Sequence, residues 1–560
     1  MDTFFNEHGH RFMQQAVHII MLRITDIKLP LDHSSHALKQ DVIRTLELQE
    51  HELIGFSIFK RSYDARKSDS IFLIYSLDVE LTAEAETRCL EQFAGKGFVK
   101  RSPDMNYKFV AQTPVGFTLS EQQRPVIIGF GPCGILAALL LAQMGLKPIV
   151  IERGQEVRQR TKDTWGLWRD RELNAESNVQ YGEGGAGTFS DGKLYTQIKD
   201  PKFYGRKVLV EFVKAGAPEE ILYVSKPHIG TFKLVKMVEN IRAEIVALGG
   251  EIRFGEKLAH LNIEDHQVEG LTLTSGEIIQ TQHVILAIGH SARDTFQSLL
   301  DSGVYIEPKP FSVGLRIEHP QSVIDKARFG KNAGNEILGA ADYKLVHHCK
   351  DGRSVYSFCM CPGGTVVAAA SEPGKLVING MSEYSRNERN ANSAIVVDVS
   401  PEKDYPEHPL AGIDLQRQLE EKAYQMGGEN YNAPVQLVGD FLAGKASKQI
   451  GSVQPSYKPG VTLSDLSLLL PDFAVKAIRE AIPEFNKQIK GFSMYDAVLT
   501  GVETRTSSPI CIKRDKVSFN SINTKGLYPA GEGAGYAGGI LSAGVDGIKV
   551  AEALAMNLLS

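Results

Sequence analysis

The sequence predicts an α/β protein in which a Rossmann-like domain is interrupted by an inserted α+β domain and preceded by a small ferredoxin-like α+β domain. Three observations predict this. Residues 126–152, VIIGFGPCGILAALLLAQMGLKPIVIE, place G-x-G-x-x-G between two apolar strands and at the start of an apolar helix. A second glycine-rich strand-turn-helix, GLYPAGEGAGYAGGILSAGVDGIKVAEALAMNLL, begins at Gly526. Residues 21–112 run β-α-β-β-α-β, the order of a ferredoxin-like fold.

Residues 1–20 read as an extension. Residues 1–15 are polar and aperiodic, and the first 20 lack the basic n-region, long apolar run and small-residue cleavage site of a secretory signal. In the domain that follows, at 21–112, Leu22–Ile27 alternates as a strand and Ser35–Leu48 has helical apolar spacing. Glu52–Arg61 and Ser70–Leu81 are rich in β-branched and aromatic residues, Ala83–Phe93 reads as a helix and Tyr107–Ala111 as a short last strand. Lys60, Arg61, Arg66 and Lys67 form either a solvated edge that discourages strand pairing or a docking face for a phosphate-bearing ligand or acidic partner. Residues 113–124 are the linker.

The first part of the Rossmann-like domain spans 125–305. Val126–Ile128 is a strand, Gly129 permits the tight turn, Gly131 lets a pyrophosphate approach the backbone, and Gly134 lets the helix pack on the strand. Pro132 and the helix through Met144 would turn their N-terminal N–H groups and dipole toward phosphate. Lys147–Ile151 is the second strand. Glu152 ends it, placed to accept both ribose hydroxyls and to repel a 2′-phosphate, so the ligand is FAD or NAD rather than NADP. Arg153 adjoins it in the expected cofactor set. Glycines and prolines break the apolar run into pieces too short to cross a bilayer.

Tyr181–Thr196, YGEGGAGTFSDGKLYT, cannot be a helix or a good strand, with Gly182, Gly184, Gly185, Gly187 and Gly192 so close together. It is backbone laid against a flat ligand or a flexible surface loop. Short strands and hairpins follow at Glu251–Phe254, Ala259–Ile263, Val268–Leu273 and Ile278–Ile279, with main-chain groups near Lys257 and Leu258 facing an adenine. His283–Gly289, HVILAIG, is a further strand that ends at Ala287 and Gly289.

The inserted domain, 306–500, carries SFCMCPGG from Ser357. Cys359 and Cys361 are either a redox pair, since a C-x-C disulfide closes a strained and reducible ring, or two inert thiols on one face of a strand. A metal site drawn from His347, His348, Cys349, Cys359 and Cys361 matches no zinc spacing, so no metal is expected. Asn379–Ser393 is a polar loop or a substrate contact. The Rossmann-like domain resumes over 501–560, where Arg505 either orients a substrate carboxylate or pairs with Glu503. Cys359, Cys361 and Arg505 are the candidate catalytic residues.

With 560 residues, 42% hydrophobic and 23% charged, the chain has an ordinary globular composition and room for two or three domains. A net charge of -5 gives no global basic field for nucleic acid or acidic membranes. Six irregularly spaced cysteines fit a reducing cytosol rather than a disulfide scaffold. No Ser-His-Asp order, P-loop or H-E-x-x-H pattern supports a hydrolase.

The C-terminal stretch with Gly531, Glu532, Gly539 and Ile540 resembles the second flavin motif of two-dinucleotide-binding-domain flavoproteins, and HVILAIG resembles the strand that returns to the flavin in that superfamily. That resemblance implies FAD, with Glu532 on the ribitol chain and the helix N-terminus at the isoalloxazine, where it stabilises reduced flavin. It also implies that the loop bearing Gly184, Gly185, Gly187 and Lys193 lies near the flavin and diphosphate. Together GFGPCGILAALLLA, YGEGGAGTFSDGKLYT, SFCMCPGG, ETRTSSP and GEGAGYAGGILSAGVDGIK resemble a family of bacterial and plastid proteins called FAD-dependent dehydrogenases or NAD(P)/FAD-dependent oxidoreductases. From Met21 onward the resemblance is nearly continuous. It implies a cytoplasmic oxidoreductase with a small-molecule or dithiol substrate. Only one complete dinucleotide fingerprint is present, so NAD(P)H would be a transient co-substrate. The alternative is a flavin-containing binding or redox-sensing protein that docks RNA or a protein through its N-terminal domain.

Overall fold

The computed structural model describes residues 21–114, 116–405 and 408–559, and the expected extension at 1–20 lies outside the described residues. Two compact units are present, one running to Met105 and including Leu222–Ser225, the other comprising the remaining chain.

In the first unit β1 (Leu22–Pro30), α1 (Ala37–Thr45), β2 (Leu53–Asp64), β3 (Phe72–Leu81), α2 (Ala83–Gln92) and β4 (Val99–Arg101) build an antiparallel sheet of order β2-β3-β1-β4. That is the ferredoxin-like arrangement. Leu22, Ile24, Leu77 and Val79 are fully buried on one sheet face, beneath Val42 of α1 and Cys89 of α2. The last strand is Val99–Arg101 and not Tyr107–Ala111. Only Val99 of that strand is buried, so it has no alternation to read, and Tyr107 instead belongs to the second unit, where its hydroxyl donates to Glu552 at 2.7 Å. The unit therefore closes at Met105 rather than 112. Of the basic cluster, Arg66 is held by Asp64, and Arg61 lies over the Tyr223 ring at 5.5 Å.

The second unit opens with β5 (Val126–Ile128), α3 (Pro132–Gln143) and β6 (Ile149–Glu152). Then come α4 (Val157–Trp165), α5 (Tyr204–Lys214), α6 (Thr231–Ala247), β7 (Glu251–Phe254), β8 (Leu258–Glu264), β9 (Gln267–Leu273), β10 (Ile278–Gln280), β11 (Val284–Leu286), α7 (Arg293–Asp301) and β12 (Ile306–Pro308). The inserted domain follows as β13 (Phe311–Pro320), α8 (Gln321–Phe329), β14 (Val346–His348), β15 (Ser354–Ala368), β16 (Ile378–Met381), β17 (Asn390–Val399), α9 (Pro401–Asp404), α10 (Ala411–Gly427), β18 (Ala433–Leu437), α11 (Val438–Ala443), β19 (Val461–Leu463), α12 (Asp472–Gln488) and β20 (Val498–Glu503). The chain ends with β21 (Ile510–Ile512), β22 (Leu527–Pro529) and α13 (Ile540–Leu559).

The Rossmann-like core is a five-stranded parallel sheet of order β22-β11-β5-β6-β7. Residues 251–254 are thus its outer parallel strand and not part of a hairpin, while β8, β9 and β10 form a separate three-stranded antiparallel sheet. Helices α3 and α13 are apolar almost all round because they lie side by side in the core. A Cβ on Gly547 would stand 2.2 Å from the Cys133 carbonyl oxygen, and one on Gly134 would stand 2.0 Å from that of Gly129.

The inserted domain is an eight-stranded sheet of order β14-β15-β17-β13-β20-β18-β19, with β16 on β15. It continues beyond residue 500 because β20 runs to Glu503. Asn379–Ser393 is not one loop. Its ends lie in β16 and β17, where Asn390, Asn392 and Ser393 are buried. The chain enters and leaves the domain through β12 and β21, which pair antiparallel. Among the described residues, no helix is long and apolar enough to cross a membrane.

A buried ion cluster fastens the inserted domain to the core. Glu420 of α10 accepts from Arg293 of α7 at 2.7 and 3.0 Å and from Arg505, just past β20, at 3.0 and 2.8 Å. Burial opposes charging Glu420, but Arg293 and Arg505 hold it well below the usual carboxylate range.

Two predictions follow from this packing. Gly134→Ala should lose about 1–3 kcal/mol of stability in denaturant unfolding, because the new methyl is forced against a backbone oxygen, whereas Gly131→Ala, whose nearest atom would be 3.6 Å away, should unfold like the wild type. Glu420→Gln should lose about 3–5 kcal/mol, since buried Arg505 is left without its carboxylate and Arg293 keeps only that of Glu372 at 2.9 Å. Because the folded carboxyl titrates below its unfolded value, the Glu420 contribution is present above about pH 4.3 and is lost as pH falls through the lower folded value. Acid unfolding of Glu420→Gln should therefore be less steep.

Candidate active site

Glycines shape the cradle between the two dinucleotide motifs. Gly129 has φ +98°, and a Cβ there would lie 2.5 Å from the Ala287 carbonyl oxygen, so strand β11 bears directly on the turn. Gly131 caps α3 without a side chain that could accept its first N–H groups, and Pro132 follows at the first turn. Gly289 (φ +64°), Gly538 and Gly539 (φ +124°) have no atom of the described residues within 4 Å of their Cβ positions. These open positions stand at the end of β11 and immediately before α13. A flat or phosphate-bearing ligand can approach backbone at all of them, as an extended FAD requires. Gly531 is fixed from behind, where its N–H donates to Asp546 at 2.8 Å.

The loop Tyr181–Thr196 joins the two motifs. Gly184 N–H donates to the Phe130 carbonyl at 2.8 Å. A Cβ on Gly185 would be 2.9 Å from Gly131 Cα, and one on Gly187 would be 2.9 Å from Cγ1 of Ile540, the first residue of α13. The segment is thus packed against both helix N-termini. Glu152 holds its start. The buried carboxylate accepts from the N–H groups of Phe130 (2.8 Å), Gly154 (2.9 Å) and Gly182 (2.8 Å), a role that its position at a strand end does not reveal.

Other expected cofactor residues lie close by with partners of their own. The Arg153 guanidinium is held by Asp294 at 2.9 Å and Glu176 at 2.6 Å and lies over the Tyr181 ring, so it does not face the glycine cradle as a free cation. Leu258 is buried at the start of β8, and Ala287 N–H bonds to Ile128. Glu532 Oε1 lies 3.2 Å from Nδ1 of His290, without the geometry of a hydrogen bond.

Cys359 and Cys361 do not sit on a regular strand face. Strand β15 shifts register on both sides of Cys361, and Cys359 has φ +45°, a left-handed conformation uncommon for a residue with a side chain. Cys361 is fully buried, with Sγ 3.3 Å from the Cys359 carbonyl oxygen. A hydrogen bond from the Cys361 thiol lowers the Cys359 pKa against its burial, with help from Lys193 and Arg316, and Cys361 is raised in turn. Lys193 donates to the Met360 carbonyl and lies 4.0 Å from Asp191. Burial alone would lower its ammonium pKa, but Cys361 and Cys359 keep it above the ordinary value. All six cysteines are free thiols.

Behind the thiols, Arg316 of β13 is fully buried. It donates to the Cys359 carbonyl (3.2 Å), Asn392 (2.8 Å) and Glu503 (3.0 Å). Burial raises Glu503, with Arg316 opposing, and both Cys359 and His290 lie near enough to act on it. Glu503 therefore pairs with the arginine behind the thiols and feels the charge of His290, which itself lies beside Glu532. Glu503 pairs with Arg316 and not Arg505. Arg505 donates to Glu420, Ser291 (3.0 Å) and Ser371 (2.7 Å), which places it inside the ion cluster. Sequence reasoning passed over Arg316 and His290, and took Arg386, whose guanidinium holds Asp191 at 2.9 Å, only as part of the polar segment 379–393. A cation inside the apolar strand VGLRI and a histidine directly after Gly289 were the available signals.

A family model described as "FAD-dependent protein, C-terminal domain-like" matches residues 310–506, the inserted domain, and one described as "Domain of unknown function (DUF8436)" matches 21–80. Among solved structures, glycine oxidase from Bacillus cereus ATCC 14579 superposes with a TM-score of 0.34 at 11% identity, covering 77% of this chain and 97% of that one. L-proline dehydrogenase from P. horikoshii gives 0.35 at 13% identity, covering 78% and 93%. Likenesses this distant assign no activity. A Clostridium beijerinckii protein described only as "Uncharacterized protein" is 48% identical over 534 residues, 95% of this chain and 98% of that one. Alignment over nearly the whole of both chains shows that this chain belongs to one family with the Clostridium beijerinckii protein, and its inserted domain matches the model of FAD-dependent proteins.

Proposed function

We propose that the protein is an FAD-dependent oxidoreductase in which Cys359 and Cys361 pass electrons, as a dithiol and disulfide, between the flavin and a small-molecule or dithiol substrate. The observation that carries this reading is the setting of Cys359: a thiol favoured as thiolate, on a strained backbone, beside a lysine whose loop packs against both dinucleotide-motif helices. Gly131 and the N-terminus of α3 would hold the diphosphate, and Gly289, Glu532 and the N-terminus of α13 the flavin end. Bound FAD supplies a two-electron acceptor and donor.

The chain's own groups account for the other half. When the pair is oxidised, a bond forms between the two Sγ atoms, two electrons leave, and Cys361 gives up its proton. Lys193 and Arg316 stabilise the thiolate before that step. Glu503, raised by burial and close enough for Cys359 to act on it, can hold a proton behind them. A nicotinamide nucleotide is the proposed donor, bound transiently because the chain holds one complete fingerprint.

Anaerobic titration of the purified flavoprotein tests this directly, with NADH, NADPH and dithiothreitol compared as reductants. The wild type should take up four electrons per chain and Cys359→Ser two. Uptake of only two by the wild type would make the pair structural. Lys193→Gln should raise the pH midpoint for alkylation of Cys359, because the thiolate loses a neighbouring cation. An unchanged midpoint would remove Lys193 from the site.

A further inference from the structure

We propose a zinc site where the β14–β15 hairpin meets α12, formed by His347, Cys349 and Glu480. The sequence pairs His347 with Cys349 but gives no third ligand, because the C-x-C cysteines are engaged elsewhere with Lys193 and Arg316. Folding supplies the third from a helix more than a hundred residues away. One ligand atom from each of the three residues lies within 4.8 Å of the others. In β14 the strand alternation turns Val346 and His348 outward and His347 inward, and His348 is occupied by Ser354 at 2.9 Å. Cys349, next after the strand, is buried. Glu480 comes from a turn of α12 whose Ala477 and Ile478 are buried, so the carboxylate stands at the rim. Its Oε1 is 3.0 Å from His347 Nε2 and also accepts from Lys350 N–H at 3.2 Å, which fixes the orientation of the carboxylate.

The donor set selects the metal. An imidazole nitrogen, a thiolate and a carboxylate oxygen suit Zn²⁺, whereas Ca²⁺ and Mg²⁺ take oxygen ligands. The thiolate and carboxylate together carry two negative charges against the two positive charges of the ion, and Asp351 and Asp398 add negative charge around the sulfur. On binding, the Cys349 thiol gives up its proton to solvent and His347 coordinates as the neutral imidazole. The side chains of His347 and Glu480 remain 20% and 32% exposed, so the fourth position of a tetrahedron opens to water. The site is separate from the flavin cradle and does not depend on the proposed electron-transfer role of Cys359 and Cys361.

The experiment uses the purified flavoprotein after chelator treatment and dialysis. Zinc content after metal addition and desalting should be about one ion per chain. Titration with Co²⁺ should give, in the difference spectrum against the flavoprotein alone, a thiolate-to-cobalt charge-transfer band and the intense visible bands of a tetrahedral ion. Cys349→Ser should abolish the charge-transfer band, and Cys359→Ser/Cys361→Ser should keep it. His347→Ala should weaken zinc binding by more than the roughly 10–100-fold typical of losing an outer-shell partner. Flavin content and circular dichroism equal to wild type identify folded variants, and Glu480→Gln, which keeps the side chain's size, serves if His347→Ala fails that check. A Co²⁺ spectrum that stays that of the aqua ion, or a sulfur band that survives in Cys349→Ser, would overturn the proposal.

Discussion

One carboxylate holds the site together. Glu152 ends the second strand of the parallel sheet and accepts three buried N–H groups, one from the turn after β5, one from its own turn and one from the start of the glycine-rich loop. Each is a charge-assisted bond in a water-poor setting, where an unmet donor is costly. From Gly182 the loop runs over Gly131 and Ile540 and delivers Lys193 to the carbonyl between the two cysteines. The positions of the cradle, the loop and the thiols are therefore linked through one anion. A ribose hydroxyl at this residue would join a carboxylate that is already structural.

Buried charge joins the inserted domain to this arrangement and also braces it internally. Arg293, Glu420 and Arg505 form one cluster, Arg316 and Glu503 another, and in each the arginines are almost wholly inaccessible. Such groups are weak evidence of net stability, because desolvation offsets most of the attraction. They are strong in another respect. An arginine fork facing a carboxylate tolerates little displacement, so the clusters fix the relation of β13, β20, α7 and α10 more narrowly than apolar packing would.

The parts of the fold set by local patterning were legible in the sequence. G-x-G-x-x-G, the apolar strands beside it and the C-terminal glycine-rich turn gave the sheet and both helix N-termini, since these glycines answer to local turns, close contacts or open backbone. The ferredoxin-like unit was legible for the same reason, except for β4, where one buried valine in three residues leaves no period. Partners set by tertiary structure were not legible. Glu503 and Arg505 are two apart and opposite in charge, yet consecutive even steps along the chain are broken by the end of β20, and each finds a partner on another element. The bulge that turns Cys359 to a positive φ likewise depends on its pairing with β17, which no local pattern records.

The ladder between β12 and β21 makes the inserted domain a cassette. Entry and exit strands run side by side, roughly 5 Å apart, so nearly two hundred residues leave and return to the core at a single doorway. A lineage can lengthen, shorten or exchange everything beyond that doorway without re-threading the parallel sheet. Selection on what the protein reacts with can then proceed in one module while the nucleotide cradle stays as it is. The buried arginine–glutamate contacts set the limit, because any replacement must bring an anion to meet Arg293.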